Sequence, residues 1–429
     1  MIRCVFALRT SPLVNRAITN KARQSFALGW KVVMFTSTAQ FVSVGIGYYT
    51  FGVYLKPLSE ALGENRFWVS LALSMQTILM AVLGPLVGRM LGEYSIRSIM
   101  LTGVVFLSVG LLICSQATAL WHLYLGFGLV TSVGVILTSN LPCNLILANW
   151  FVRRRGMALG ISQSGITFSG VLLVPLATYV VITYGWRTSF VVFAILAPIV
   201  LAPLIWRFAI RTPEDAGLHA DGDAAPIQLP EAAGRTDWSF RKAVRVKDIW
   251  LISLIAGPCY MAIAAIVIAL PSHGTDLGLT PMQASSTVLV TTLFGAIAKP
   301  LAGTLSDSFS KRLVVGIAIA LQVVAAVLLI FAQDLLSLSL SGALFGLGYG
   351  GIAPLWSLLL VERFGLADFA QVMGAAMPLT MPFSLIGLPL TTFVFEVTGS
   401  YTPAFTFLLI GYAVAAVSLF MLHMPSEAS

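Results

Sequence analysis

The sequence predicts an all-α membrane protein with twelve transmembrane helices in two pseudo-symmetric six-helix bundles and both termini in the cytoplasm. Three observations carry this. Of 429 residues, 58% are hydrophobic and only 10% charged, and the mean hydropathy is +0.92. A soluble domain carries roughly 45–50% apolar and about 25% charged residues, so this chain lacks the polar surface that water requires. Apolar stretches of about 20 residues, the length of one bilayer crossing, recur six times, pause, and recur six times more. The two sets are also related by a nearly constant offset. A soluble enzyme, a nucleic-acid-binding protein and a secreted disulfide scaffold are excluded as main readings.

Taken in order, the first bundle (30–207) has apolar stretches at 30–55, 68–91, 98–118, 122–148, 157–183 and 187–206. The second (248–424) has them at 249–271, 283–305, 313–333, 337–361, 370–395 and 401–423. Residues 1–29 contain several Arg and no acid, the first acid in the chain being Glu60. They read as a basic cytoplasmic tail, with an organellar transit peptide or an over-extended start site as the alternatives. Between the bundles, 208–247 form a cytoplasmic linker loop. Its stretch 212–247, rich in Pro, Gly, Asp and Ala, is expected to have little packed structure.

Orientation follows from Lys and Arg. With the N-terminus inside, twenty-one of the 25 basic residues fall in cytoplasmic segments and only Lys56, Arg66 and Arg187 outside. The net charge of +8 is this bias rather than a nucleic-acid footprint. The repeat supports the two-bundle reading. Leu62, Gly63 and Ser70 recur as Leu277, Gly278 and Ser285, and Gly88 as Gly303, at an offset of 215. Gly160 and Gly185 recur as Gly374 and Gly399 at 214. Parallel repeats joined by a long cytoplasmic loop suit a carrier whose site lies between the halves near mid-membrane.

Several stretches resemble a known family. Gly303-Thr-Leu-Ser-Asp307-Ser-Phe-Ser-Lys311-Arg312 resembles the signature loop of the major facilitator superfamily. The resemblance implies that Asp307, Lys311 and Arg312 form a conformational latch, Asp307 pairing with loop cations and helix N-termini. The first-half copy has Gly92 in place of the Asp and Glu93 where a basic residue is usual, so that half lacks the latch residue. Phe51-Gly-Val-Tyr-Leu-Lys-Pro-Leu58, Asn149-Trp-Phe-Val-Arg-Arg-Arg-Gly-Met-Ala-Leu-Gly160 with Gly185-Trp-Arg187, and Thr212-Pro-Glu-Asp-Ala-Gly-Leu218 with Asp221-Gly222 are similar to the monocarboxylate transporters and their oxalate/formate antiporter relatives. The matches run from about residue 45 to 312.

Lys299 is the basic residue that belongs to no loop. At ~1.5 Å per residue it stands roughly 12 Å from the cytoplasmic helix end, and ionisable residues at such depth usually line the pathway. A structural lysine held by carbonyls is the competing reading. By the resemblance, Lys299-Pro300 falls where monocarboxylate transporters carry an Arg-Pro pair whose cation binds the substrate carboxylate. Lysine offers a point charge without the bidentate fork. The acid these transporters place one turn earlier falls at Gly295, their first-helix lysine is replaced by Tyr49, and the eleventh helix has no second cation. A single cation suits a monoanion better than a dianion.

Thr292, seven residues before Lys299, shares its helical face. Asn140 and Asn144, Tyr260, Tyr349, Tyr48 and Tyr49 are the other intramembrane donors and acceptors, each equally suited to bonding neighbouring helices together. Thr292, Asn140, Tyr260, Tyr349 and Tyr49 join Lys299 as candidate binding residues. The four cysteines (Cys4, Cys114, Cys143, Cys259) have no metal or disulfide spacing, and His122 and His273 read as surface residues of outside loops.

The expectation is therefore a secondary active transporter rather than an enzyme, with no cofactor, metal or nucleic acid. It would sit in the cell membrane (inner or plasma) and move small organic monocarboxylates by alternating access, with protons as a second cargo and Lys299 anchoring the carboxylate. The alternative on the same fold is an exporter of amphipathic drugs or other hydrophobic solutes. Glu60, Glu362 and Glu396 fall near helix ends, so no carboxyl group points to a coupling mode.

Overall fold

The computed structural model describes residues 12–223, 238 and 240–422. Residues 1–11 of the expected tail, 224–237 and 239 of the expected linker, and 423–424 at the end of the second bundle lie outside the described residues. Among the described residues all regular structure is helical. The helices are α1 (Pro12–Val44), α2 (Phe51–Leu62), α3 (Arg66–Glu93), α4 (Ile96–Ser115), α5 (Leu120–Leu123), α6 (Ser132–Thr138), α7 (Asn140–Trp150), α8 (Arg155–Tyr184) and α9 (Trp186–Phe208). After the central segment come α10 (Phe240–Ala243), α11 (Lys247–Asp276), α12 (Pro281–Ser308), α13 (Lys311–Ile330), α14 (Leu335–Phe364), α15 (Phe369–Thr398) and α16 (Thr402–Met421). Eleven helical segments of the described residues are long and apolar enough to cross a membrane. The remaining crossing is α1 continued through a π-helical turn, Gly45–Tyr49, into α2.

Local chemistry sets the ends. Thr280 opens α12 with a reciprocal box: its Oγ1 accepts from the Gln283 backbone N–H at 3.3 Å, and Gln283 Oε1 accepts from the Thr280 N–H at 3.1 Å. Pro281 then takes the first helical position, where a missing N–H costs nothing. Gly63 and Gly399 close α2 and α15 with φ of +67° and +68°, a left-handed turn that a Cβ disfavours. The outward faces carry Ile182, Phe420 and Met282, all largely exposed. In water these would be a liability; facing lipid they are what the solvent demands.

Two crossings are interrupted, and both interruptions have causes. In the first, Gln76 Nε2 donates to the Gly47 carbonyl at 2.8 Å, serving a backbone group inside the π turn. In the fourth, the chain breaks at Ser139 (φ −106°, ψ −127°) between α6 and α7. Pro142 has no N–H for the Thr138 carbonyl, and the Cys143 thiol, 3.6 Å away, approaches that oxygen instead. The break sets the direction of α7 and of Asn140 and Asn144 upon it.

The halves meet along α3 against α15 and α8 against α12. A Cβ on Gly84 would lie 2.8 Å from the Gly374 carbonyl oxygen, and one on Gly88 would collide with the Ala370 carbonyl. Gly156 and Gly303 abut backbone to backbone, and Gly160 abuts the carbonyl of Lys299. These contacts obey the repeat: shifting α3 by 215 and α8 by 214 turns the pair Gly88 and Ala370 into Gly303 and Gly156, and Gly84 and Gly374 into Lys299 and Gly160. Lys299 is thus the symmetry mate of a glycine. All four contacts lie within a few turns of the helix ends that face the chain termini, so the halves are closed on that side.

Three expectations need correction. The helix of the first crossing begins at Pro12, so the later part of 1–29 continues it rather than forming a separate tail. The start of the linker is packed. Asp221, at φ 56°, accepts from the N–H groups of Val152 (3.1 Å) and Arg153 (2.7 Å), and Arg153 pairs with Asp223. Ser25 Oγ donates to the His219 carbonyl at 2.6 Å and Trp150 Nε1 to that of Ile210 at 3.0 Å. The Pro, Gly and Asp content that reads as a loose linker here builds tight turns whose backbone groups are satisfied by the first bundle. Finally, His273 lies in the last turn of α11, its ring edge-on to Tyr401 and Phe405, not in an outside loop.

Candidate functional site

A cavity of about 230 Å³ lies between the halves, walled by α7, α8, α11, α12, α14, α15 and the π turn. Lys299, Tyr349, Asn140, Tyr260 and Tyr49 all line it, together with Asn144. Thr292 does not. Its hydroxyl donates to the Val288 carbonyl of its own helix at 2.8 Å, and seven residues place it roughly 10 Å along α12 from Lys299.

Lys299 is only 6% exposed. Its ammonium crosses to the other half, donating to the Gln163 carbonyl at 3.0 Å and to Thr167 Oγ1 at 2.6 Å, both on α8. Gln163 and Thr167 are four residues apart, about one turn, so one face of α8 receives the cation twice. The Gln163 side chain donates to Asn144 Oδ1 at 3.4 Å, and Asn144 Nδ2 donates to Ser357 Oγ at 3.0 Å on α14. A polar chain therefore runs from the second half to the first and back. A cation in hydrocarbon is expensive; two acceptors from the opposite half relieve it, and a third N–H of the ammonium is left over.

Gly295 explains the position of Tyr349. A Cβ at Gly295 would lie 2.5 Å from the Tyr349 hydroxyl, so the phenol occupies the space a side chain would need. The space opens because α12 and α14 pack closely at Gly342, Gly346 and Gly350, each facing α12 atoms with no room for a Cβ. Tyr49 packs on Gly170 in the same way, a Cβ there lying 3.2 Å from its ring. Among the described residues that line the cavity none carries a carboxylate, imidazole or thiol, the groups that hold transition metals.

Sequence reasoning missed Gln163, Thr167, Ser357, Trp356 and the methionines Met373, Met377 and Met381. The methionines were legible as an i, i+4, i+8 stripe on α15; Gln163 and Thr167 become partners only once α8 meets α12. The latch residues divide. Asp307 spans the halves, its two carboxylate oxygens accepting from the backbone N–H groups of Gly156 (2.7 Å) and Met157 (2.9 Å) in the first turn of α8. Lys311 pairs with Glu362 at 3.5 Å and Arg312 donates to the Phe420 carbonyl at 2.6 Å, both within the second half. At the symmetry-related place Gly92 faces the Gln371 side chain.

Comparisons with known proteins place the family and the fold. The family model of the Major Facilitator Superfamily matches residues 38–266 and 252–429. Human monocarboxylate transporter 2 is 24% identical over 92% of this chain and 84% of its own length. Mouse monocarboxylate transporter 11 is 29% identical over 88% of this chain and 84% of its own. The fold is that of FucP in the outward conformation, at TM-score 0.67 and 14% identity over 92% of this chain and 99% of that one. The proton:xylose symporter XylE aligns at TM-score 0.69 and 12% identity, over 93% and 96% of the two chains. Twelve helical crossings in two related bundles, a cavity between them and a family match over nearly the whole chain lead to one conclusion: this multi-pass membrane protein belongs to the Major Facilitator Superfamily and is a transporter, not an enzyme.

Proposed function

We propose that the chain carries small organic monocarboxylates across the cell membrane by alternating access, with Lys299 as the anchor of the carboxylate. The observation that carries this reading is the buried ammonium of Lys299, held by Gln163 and Thr167 of the opposite half at the wall of the cavity. An anion entering the cavity meets one positive charge and amide and hydroxyl donors, and its carboxylate takes the remaining N–H of the ammonium. Because Lys299 already touches both halves, an anion bound there bears on the contact that opens and closes. The names of the relatives, monocarboxylate transporters 2 and 11, support the cargo class.

The bundles 30–207 and 248–424 are the rocking units, and Asp307 is the latch between them, with Lys311 and Arg312 beside it in the second half. With both termini in the cytoplasm, as the basic residues indicate, the closed side is cytoplasmic and the cavity faces outward. Among the described residues lining it Lys299 is the only base, so it is the group through which a co-transported proton would act.

The test is uptake of labelled monocarboxylates, dicarboxylates and neutral solutes into proteoliposomes containing the wild type, Lys299→Gln or Lys299→Arg. Monocarboxylate uptake should fall at least a hundredfold in Lys299→Gln at equal protein and partly recover in Lys299→Arg. Unchanged uptake in Lys299→Gln refutes the anchor. Efflux of amphipathic drugs indifferent to the substitution would establish the exporter reading instead.

A further inference from the structure

We propose that the cargo is an aryl monocarboxylate, a carboxylate joined by a short chain to an aromatic ring, rather than a two- or three-carbon acid. The inference rests on the monocarboxylate reading and narrows it.

The cavity is charged at one level and mostly apolar at the next, where Ser384, Tyr260 and Tyr349 supply its polar groups. Measured along their helices at ~1.5 Å per residue from the ends nearest the chain termini, Lys299, Gln163 and Trp356 lie at roughly 12–13 Å. Tyr260, Tyr349 and Ile263 lie at roughly 20–24 Å on the same scale. A molecule whose charge sits on Lys299 therefore extends about 8 Å or more among aromatic and aliphatic side chains. On the same scale Met377 stands at roughly 12 Å and Met381 at roughly 18 Å, so the methionine wall rises from the level of Lys299 toward the apolar one. Thioether against a ring edge is a favourable contact, and methionine adapts to the shape of what it meets.

Size points the same way. An apolar cavity of about 150 Å³ holds a benzene ring, and this one is about 230 Å³. A ring with a carboxylate arm fills it. A three-carbon acid would leave its apolar half to water among methionine, isoleucine and aromatic side chains, which offer few hydrogen bonds.

Trp356 supplies a second, independent sign of the ligand. It lines the cavity and is 8% exposed, and its indole N–H, buried, has no hydrogen-bond partner among the described residues. Its ring stands edge-on to Tyr260, with centroids 6.5 Å apart at 84°. A buried indole N–H normally finds an acceptor. At the depth of Lys299, the acceptor that suits it is the second oxygen of the carboxylate. The ammonium and the indole then hold the two oxygens, and the ring of the cargo lies toward Tyr260 and the methionine wall.

The experiment measures binding to the purified full-length carrier by calorimetry. The probes are 3-phenylpropionate, indole-3-acetate, propionate and 3-phenylpropanol, the last lacking the carboxylate. An aryl acid should bind at least tenfold more tightly than propionate and lose that affinity in Lys299→Gln. Trp356→Phe, which keeps the ring and removes the N–H, should weaken all three carboxylates several-fold and the alcohol much less. Ile263→Trp, filling the apolar level, should weaken 3-phenylpropionate at least tenfold more than propionate. Propionate binding as tightly as both aryl acids, or binding of neither aryl acid, overturns the proposal and leaves the monocarboxylate reading standing. Binding of the alcohol as tight as that of 3-phenylpropionate, with both indifferent to Lys299→Gln, overturns both.

Discussion

Asp307→Asn tests whether the inter-half contact holds the closed side shut. In the structure both carboxylate oxygens of Asp307 accept from backbone N–H groups of the first turn of α8, at 2.7 and 2.9 Å. The helix N-terminus adds a favourable dipole for a negative charge. Asparagine keeps one acceptor, places an amide N–H against the other backbone N–H, and removes the charge. A hydrogen bond to a charged group contributes about 1.5–3 kcal/mol, so the closed state should lose about 2–3 kcal/mol. At ~1.4 kcal/mol per tenfold, that shifts the equilibrium by roughly 30–150-fold. A carrier resting about 99 to 1 on the closed side would move to near parity.

The assay is pulsed electron-spin distance measurement between labels at Tyr94 and Phe309, exposed residues at the closed end of the first and second halves. Cys114, Cys143 and Cys259 are buried, and Cys4 would be replaced by Ser. A second, longer distance population should appear in Asp307→Asn and be absent from the wild type. An unchanged distribution in well-folded protein would show that the glycine-lined backbone contacts alone close this side, and the latch argument would fail.

Other substitutions follow from the same geometry. Gly160→Val places side-chain atoms against the Lys299 carbonyl and should open the closed end in the same distance measurement; a wild-type distribution would mean that α8 and α12 accommodate the bulk. Asp221→Ala leaves the N–H groups of Val152 and Arg153 without their acceptor. About 1–3 kcal/mol of stability should be lost, with faster proteolysis at residues 212–223; equal proteolysis rates contradict the docking. Asp334, outside the crossings, accepts from Ser337, which holds its carboxyl below the usual range. Its folded pKa lies below the unfolded one, so its contribution is present above the ordinary carboxylate range and lost as pH falls through the folded value. Asp334→Asn should flatten the acid limb of thermal stability in detergent, and identical limbs would remove the cap from the account.

Much of this architecture was legible because it is written in local, repetitive chemistry. The bilayer demands about twenty apolar residues per crossing, so twelve stretches could be counted and their ends placed near those observed. Duplication left Gly88 with Gly303 and Gly160 with Gly374 at nearly one offset, and those glycines proved to be where the halves touch. Lys299 stood out because a charge inside a crossing is costly wherever it points.

What the linear chain could not show is who meets whom. Thr292 shares a helical face with Lys299 yet lies two turns from it and does not line the cavity, whereas Gln163 and Thr167, more than 130 residues distant in sequence, take the cation. Residues 212–223 have the composition of a loose linker and lie tied to the first bundle, because Asp221 finds two backbone donors there. Periodicity and charge are properties of a segment and can be read along it. The partners of Lys299, Asp307 and Asp221 depend on helix ends and levels set by packing between distant segments, and only the folded chain brings them together.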